Sequence, residues 1–112
     1  QLAENIHTSH LVLDGRTGPG IIDVPTVSIA SLRQSHRMSG PFTIVCDIEG
    51  AELLLLRHDE RALSDCHTII METHPADYEG MGGSLDEVMR RLAELGLSVI
   101  DRRENVIAAV RK

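Results

Sequence analysis

"FTIVCDIEGAELLLL", residues 42–56, decides the fold. An uncharged run, Phe42 to Cys46, passes through Asp47, Glu49 and Glu52 into four consecutive leucines, Leu53 to Leu56. The run shows almost no polar alternation, so "FTIVCD" reads as a strand buried on both faces. "AELLLLRHDERAL", 51–63, is rich in good helix formers and reads as a helix. Gly50 gives the backbone freedom for the sharp turn between them. In an open α/β sheet ligands bind outside the carboxyl ends of the strands, and Asp47 ends its strand on that rim. Glu49 and Glu52 stand at or inside the helix start, where the positive end of the macrodipole favours carboxylates, so a plain helix-start role is available for both.

Working outward, "HTIIMET", 67–73, reads as a second buried strand and "HPADYEGMGGS", 74–84, as a loop. Within that loop "GMGG" reads as a flexible connector rather than a lid. Ser84 and Glu87 form an S-x-x-E capping box, and Leu85, Val88, Met89, Leu92 and Leu95 share one helix face. Gly96 sits where that helix needs a left-handed residue to end. "LSVID" and "VIAAV" follow as two strands of a hairpin joined through Arg102 to Asn105. Toward the N-terminus "HLVL", 10–13, reads as a short strand, "DGRTGPG" as a loop, and "IIDVPTVSI", 21–29, as extended chain broken by Pro25. "ASLRQSHRM", 30–38, reads as a short helix. The alternation predicts an α/β fold: one mostly parallel sheet with a C-terminal antiparallel hairpin and helices packed on it.

Composition narrows the function. A chain of 112 residues fits one domain or a piece of a larger one. The net charge of −6 disfavours phosphate-backbone binding, and Phe42 and Tyr78 are too few aromatics for base-stacking platforms, so no nucleic-acid partner is expected. Cys46 and Cys66 make no disulfide framework; both read as small core residues in a reducing, cytoplasmic setting. No apolar run is long enough for a membrane span and no signal peptide is visible, so no membrane partner is expected. His58 and His67 read as surface groups.

The segments "VPTVSIASL", "FTIVCDIEGAELLL" and "IIMETHP", in that order, resemble the C-terminal half of the FkbM-type S-adenosylmethionine-dependent methyltransferases, over about Val24 to the C-terminus. That family carries an acid-x-acid-Gly-x-Glu segment after its fourth strand, matched by Asp47, Glu49, Gly50 and Glu52. It also has an apolar strand ending in Glu, matched at Glu72. Val45 stands where the family often has Lys. The resemblance implies a partial Rossmann-like methyltransferase sheet, S-adenosylmethionine as cofactor, and a hydroxyl on a small molecule or sugar as acceptor. It places Asp47 and Glu49 toward the cofactor. Asp47 is the orienting group, His74 the candidate base and Glu72 a hydrogen-bonding partner for the substrate hydroxyl. The family's glycine-rich cofactor turn should open a helix, whereas "LDGRTGPG" leads into a β-branched segment containing Pro25, so it reads as a plain loop. The chain is therefore expected to be the C-terminal portion of a larger methyltransferase domain.

Two other readings stay open. A non-catalytic α/β interaction domain would self-associate, and the exposed edge of "FTIVCD" suits a homodimer. A metal-dependent hydrolase would use Asp47, Glu49, Glu72 and His74, although no compact ligand motif such as H-E-x-x-H is present.

Overall fold

The computed structural model describes Gly15 and residues 17–112; the strand expected at 10–13 lies outside the described residues. The elements are α1 (Ile29–Ser35), β1 (Phe42–Cys46), α2 (Glu52–His58), α3 (Glu60–Leu63) and β2 (Cys66–Glu72). They continue with α4 (Pro75–Gly80), α5 (Leu85–Glu94), β3 (Leu97–Arg103) and β4 (Val106–Arg111). The result is a mixed α/β fold with a four-stranded sheet in the order β1-β2-β4-β3.

β1 and β2 pair in parallel, while β4 is antiparallel to both β2 and β3. Three strands thus run one way and β4 opposes them. Only one of the three pairings is parallel, fewer than the expected mostly parallel sheet. The hairpin is responsible: its second strand, not its first, inserts beside β2. Consecutive-element order reveals the hairpin but not which of its strands docks. The hairpin turn is tighter than the sequence suggests, because β3 extends to Arg103 and only Glu104, at φ 55, and Asn105 remain between the strands.

The expectation of strands buried on both faces is overturned. In β1, Phe42, Ile44 and Cys46 are half-buried while Thr43 and Val45 are exposed, Val45 to 74%. In β2, Ile69 and Met71 are fully buried and Ile70 is exposed. The helices cover one face only among the described residues. Their core joins Leu53 and Leu56 of α2, Leu63 of α3, and Val88 and Leu92 of α5 to Ile69, Met71, Leu97, Ile107 and Ala109 of the sheet. An uncharged side chain on the open face looks the same in sequence as one on the covered face.

The capping box at α5 forms as expected on one side, with Ser84 Oγ accepting from the Glu87 amide at 3.1 Å. The Glu87 carboxylate does not turn back. It takes a bidentate pair from Arg57, at 3.0 and 2.7 Å, which ties α5 to α2. The expected helix 51–63 is two, parted at Asp59, whose amide still bonds Leu55 O while its carbonyl begins the next turn at Leu63. The segment expected as a loop after β2 holds the six-residue α4, since Pro75 occupies a first-turn position where no amide hydrogen is needed. Residues 21–28 belong to no strand.

Arg111, the last residue of β4, acts as a staple. Its guanidinium donates to Leu63 O at 2.9 Å, Leu95 O at 2.6 Å and Cys66 O at 3.0 Å, so one side chain satisfies carbonyls at the ends of α3 and α5 and the start of β2. Arg111→Ala is expected to cost about 1–3 kcal/mol in urea denaturation. Arg111→Lys should recover only part of that loss, because an ammonium cannot present the planar fork.

Candidate active site at the carboxyl ends of β1 and β2

Parallel pairing sets two strand ends side by side, with Cys46 opposite Met71. The next residue on each strand is acidic, so Asp47 and Glu72 meet at the rim. A hydrogen bond shared with the Asp47 carboxyl, then the Asp47 charge itself, pushes the Glu72 carboxyl above its usual range. His74, two residues beyond Glu72, turns back over the first strand's loop. Its Nε2 lies 3.4 Å from Asp47 Oδ1 and 3.6 Å from Glu49 Oε2, and its Nδ1 lies 3.1 Å from Glu52 Oε1. The four expected site residues, Asp47, Glu49, Glu72 and His74, are therefore brought together.

Glu52 is the residue whose importance sequence reasoning misses. The sequence offers it only as a helix-start residue and a match to the family segment, yet its side chain is 0% exposed. Oε1 accepts from the Ile48 amide at 3.0 Å and faces His74 Nδ1; Oε2 accepts from the Gly50 amide at 3.1 Å and from Tyr78 Oη at 3.0 Å. The carboxylate thus knots together the loop after β1, the exit of β2 and α4. One signal in the sequence points to it: Tyr78, one of two aromatics in the chain, carries a hydroxyl that needs a partner when buried. Burial, followed by the charge and hydrogen bond of Glu52, pushes the Tyr78 phenol upward.

The loop geometry follows from that knot. Glu49 takes φ 54 and Gly50 φ 98, which brings both flanking amides round to one carboxylate. At Gly50 a Cβ would lie 2.5 Å from Asp77 Cβ, so α4 approaches as closely as a glycine permits. Gly83 is similarly wedged: a Cβ there would lie 2.5 Å from Leu53 Cδ2, so this part of "GMGG" is a fitted connector. Asp47 is half-exposed at the rim, its side chain at 55%, whereas His74 is at 16%. An open hollow lined by Arg57, His58, Glu60, Arg61 and Ser64 lies elsewhere, at the ends of α2 and α3, and includes none of the site residues.

Asp47, Glu52 and His74 each offer one potential metal-ligand atom, all within 4.8 Å of one another. Both Glu52 oxygens already hold two partners each, which leaves Asp47, Glu49 and the His74 Nε2 as the atoms open to a ligand. Cys46, half-buried beside them, is a poor nucleophile: burial first, then Glu52, Asp47 and Cys66, push its thiol up to about 11. His58 and His67 are exposed, as expected.

The acid pair has a pH consequence. A carboxyl raised in the folded state stabilises the fold in its protonated form. That contribution is complete below its unfolded value of about 4.3 and is lost as pH rises through the folded one. Glu72→Gln should therefore melt with the native chain at about pH 3.5 and above it at about pH 7. An equal difference at both pH values would show that the pair does not interact.

Comparison with known proteins adds one finding. The family model described as the methyltransferase FkbM domain matches residues 2–99. That match begins nearer the N-terminus than the Val24 start read from the motifs, and it stops short of β4. No curated protein and no solved structure matches the chain. With residues 2–99 of 112 covered, and with the acid-x-acid-Gly-x-Glu segment built into the rim, the chain belongs to the methyltransferase FkbM domain family.

Proposed function

We propose that the chain serves in S-adenosylmethionine-dependent methylation of a hydroxyl on a small molecule or sugar, with the chemistry at the carboxyl ends of β1 and β2. The carrying observation is the convergence of His74 Nε2, Asp47 and Glu49 at a rim, in a member of a family that generally uses this donor. The donor set suits a cationic ligand, since Asp47, Glu49 and Glu72 concentrate negative charge with no Lys or Arg among their close partners in the described residues. S-adenosylmethionine supplies an electrophilic methyl group on a sulfonium, together with an ammonium that carboxylates bind well.

The protein's part is alignment and proton transfer. Asp47 and Glu49 orient the ligands at the rim. With the donor bound, its methyl–sulfur bond would break, leaving a neutral thioether, as the carbon–oxygen bond formed; His74 Nε2 would take the hydroxyl proton, and the resulting imidazolium would be met by the Asp47 and Glu49 carboxylates. Glu72, whose carboxyl the neighbouring Asp47 pushes above its usual range, hydrogen-bonds the acceptor. The two free thiols, Cys46 and Cys66, support a reducing cytoplasmic setting.

A second reading has its own observation. The open sheet face presents Val45, Ile70 and Val106, exposed at 74, 38 and 41%, and β1 pairs on one side only among the described residues. Both features favour a self-associating interaction domain, with a second copy along the β1 edge. Calorimetric titration separates the readings. Methyl transfer predicts heat on adding S-adenosylmethionine that disappears in Asp47→Ala. A folded chain that gives no heat, and that sediments as a dimer with rising concentration, would replace the enzyme with the interaction domain.

A further inference from the structure

We infer that Glu52 is a positioning residue that holds His74 in the Nδ1–H tautomer and so presents Nε2, unprotonated, to the acidic rim. This role rests on the reading of His74 as the base, and it belongs to a side chain that touches neither substrate nor donor. The balance of donors and acceptors around the carboxylate points to it. Backbone amides only donate, and two of them, Ile48 and Gly50, are aimed at the two oxygens of Glu52. Tyr78 Oη supplies a third donor, and the side chain is sealed from water. With three donors already aimed at its two oxygens, the carboxyl group is best matched to this site in its ionised, all-acceptor form.

The atom facing Oε1 across 3.1 Å is His74 Nδ1, and an ionised carboxylate there favours hydrogen on that nitrogen. In a neutral imidazole that leaves the lone pair on Nε2. Nε2 stands 3.4 and 3.6 Å from Asp47 and Glu49, beyond the usual length of a direct hydrogen bond. A hydroxyl group can therefore enter at Nε2, and the proton it delivers arrives between two carboxylates. If the tautomer were reversed, Nδ1 and Oε1 would be two acceptors face to face in a buried site, and Nε2 would have no capacity to take a proton. The knot also fixes the ring plane, because Oε1 is itself held by the Ile48 amide. The arrangement follows the general logic by which a carboxylate behind an imidazole selects the working nitrogen.

Long-range proton–nitrogen correlation NMR on the uniformly labelled chain reads the tautomer directly. The His74 signals are identified by their loss in His74→Gln. The expected result is an Nδ1–H form favoured by at least about tenfold, as a hydrogen bond to a buried carboxylate implies, while solvent-exposed His58 shows a mixture. A mixed or Nε2–H His74 in the native chain overturns the assignment. Glu52→Gln sets an NH2 group against at least one backbone amide and will lower stability, so a second variant accompanies it. Tyr78→Phe removes one bond from the same carboxylate and none from the imidazole. Retention of the tautomer in Tyr78→Phe with its loss in folded Glu52→Gln supports the role; equal loss in both contradicts it. The spectrum needs no donor. Failure to bind S-adenosylmethionine would thus count against the methyltransferase reading alone, and a mixed tautomer in a chain that does bind it would count against Glu52 alone.

Discussion

A single buried carboxylate, that of Glu52, is the constraint on which the geometry of the rim depends. Removing such a charge from water costs several kcal/mol unless it is paired and hydrogen-bonded. Here four groups from three segments supply the bonds: two amides of the loop after β1, the imidazole after β2 and the phenol of α4. Each donor has to be delivered by backbone placed for it. The left-handed turn at Glu49 and Gly50, the near contact between Gly50 and Asp77, and the short helix opened by Pro75 are all parts of that delivery. Strain at Glu49, of order 1–2 kcal/mol for a side chain in that region, is sustained because two amides gain a charged acceptor.

The same constraint divides the acids by task. Glu52 is sealed and structural, whereas Asp47, Glu49 and Glu72 remain at the rim with oxygens open to a ligand. Their mutual repulsion concentrates where a cation or a transferred proton can relieve it. His74 lies between the two groups, bonded inward and facing outward, so the internal network reaches the rim through one ring. Packing supports this from below. The leucines of α2 and the apolar face of α5 press on the sheet side that carries Ile69 and Met71, and the Arg57–Glu87 pair fixes the two helices against each other.

Much of this is legible in the sequence, and the failures are instructive. The strand ending just before Asp47, the Ser84 N-cap and the terminal hairpin each rest on local patterning, and each forms, although the Glu87 half of the expected capping box does not. Asp47, Glu49, Glu72 and His74 can be gathered because parallel neighbours end on the same side. What cannot be read is anything set by long-range docking: the insertion of β4 beside β2, the one-sided covering of the sheet, and the stapling of three carbonyls by Arg111. Glu52 escapes notice for a related reason. A glutamate in a first helical turn has an adequate local explanation, and only Tyr78 and His74, more than twenty positions later, show that it faces inward. α4 is hidden by glycines that end it rather than prevent it.

The rim stands or falls with the Glu52 carboxylate holding the loop from beneath, through the Ile48 and Gly50 amides. Native-state hydrogen exchange at those two amides tests this most directly. Both sit in a loop outside any helix or strand, so ordinary loop behaviour would give exchange close to that of open chain. Protection comparable with the amides of β2 is expected instead, because the bonds to Glu52 open only when the surrounding core does. Rapid exchange of Ile48 and Gly50 in a chain whose β2 amides are protected would contradict it.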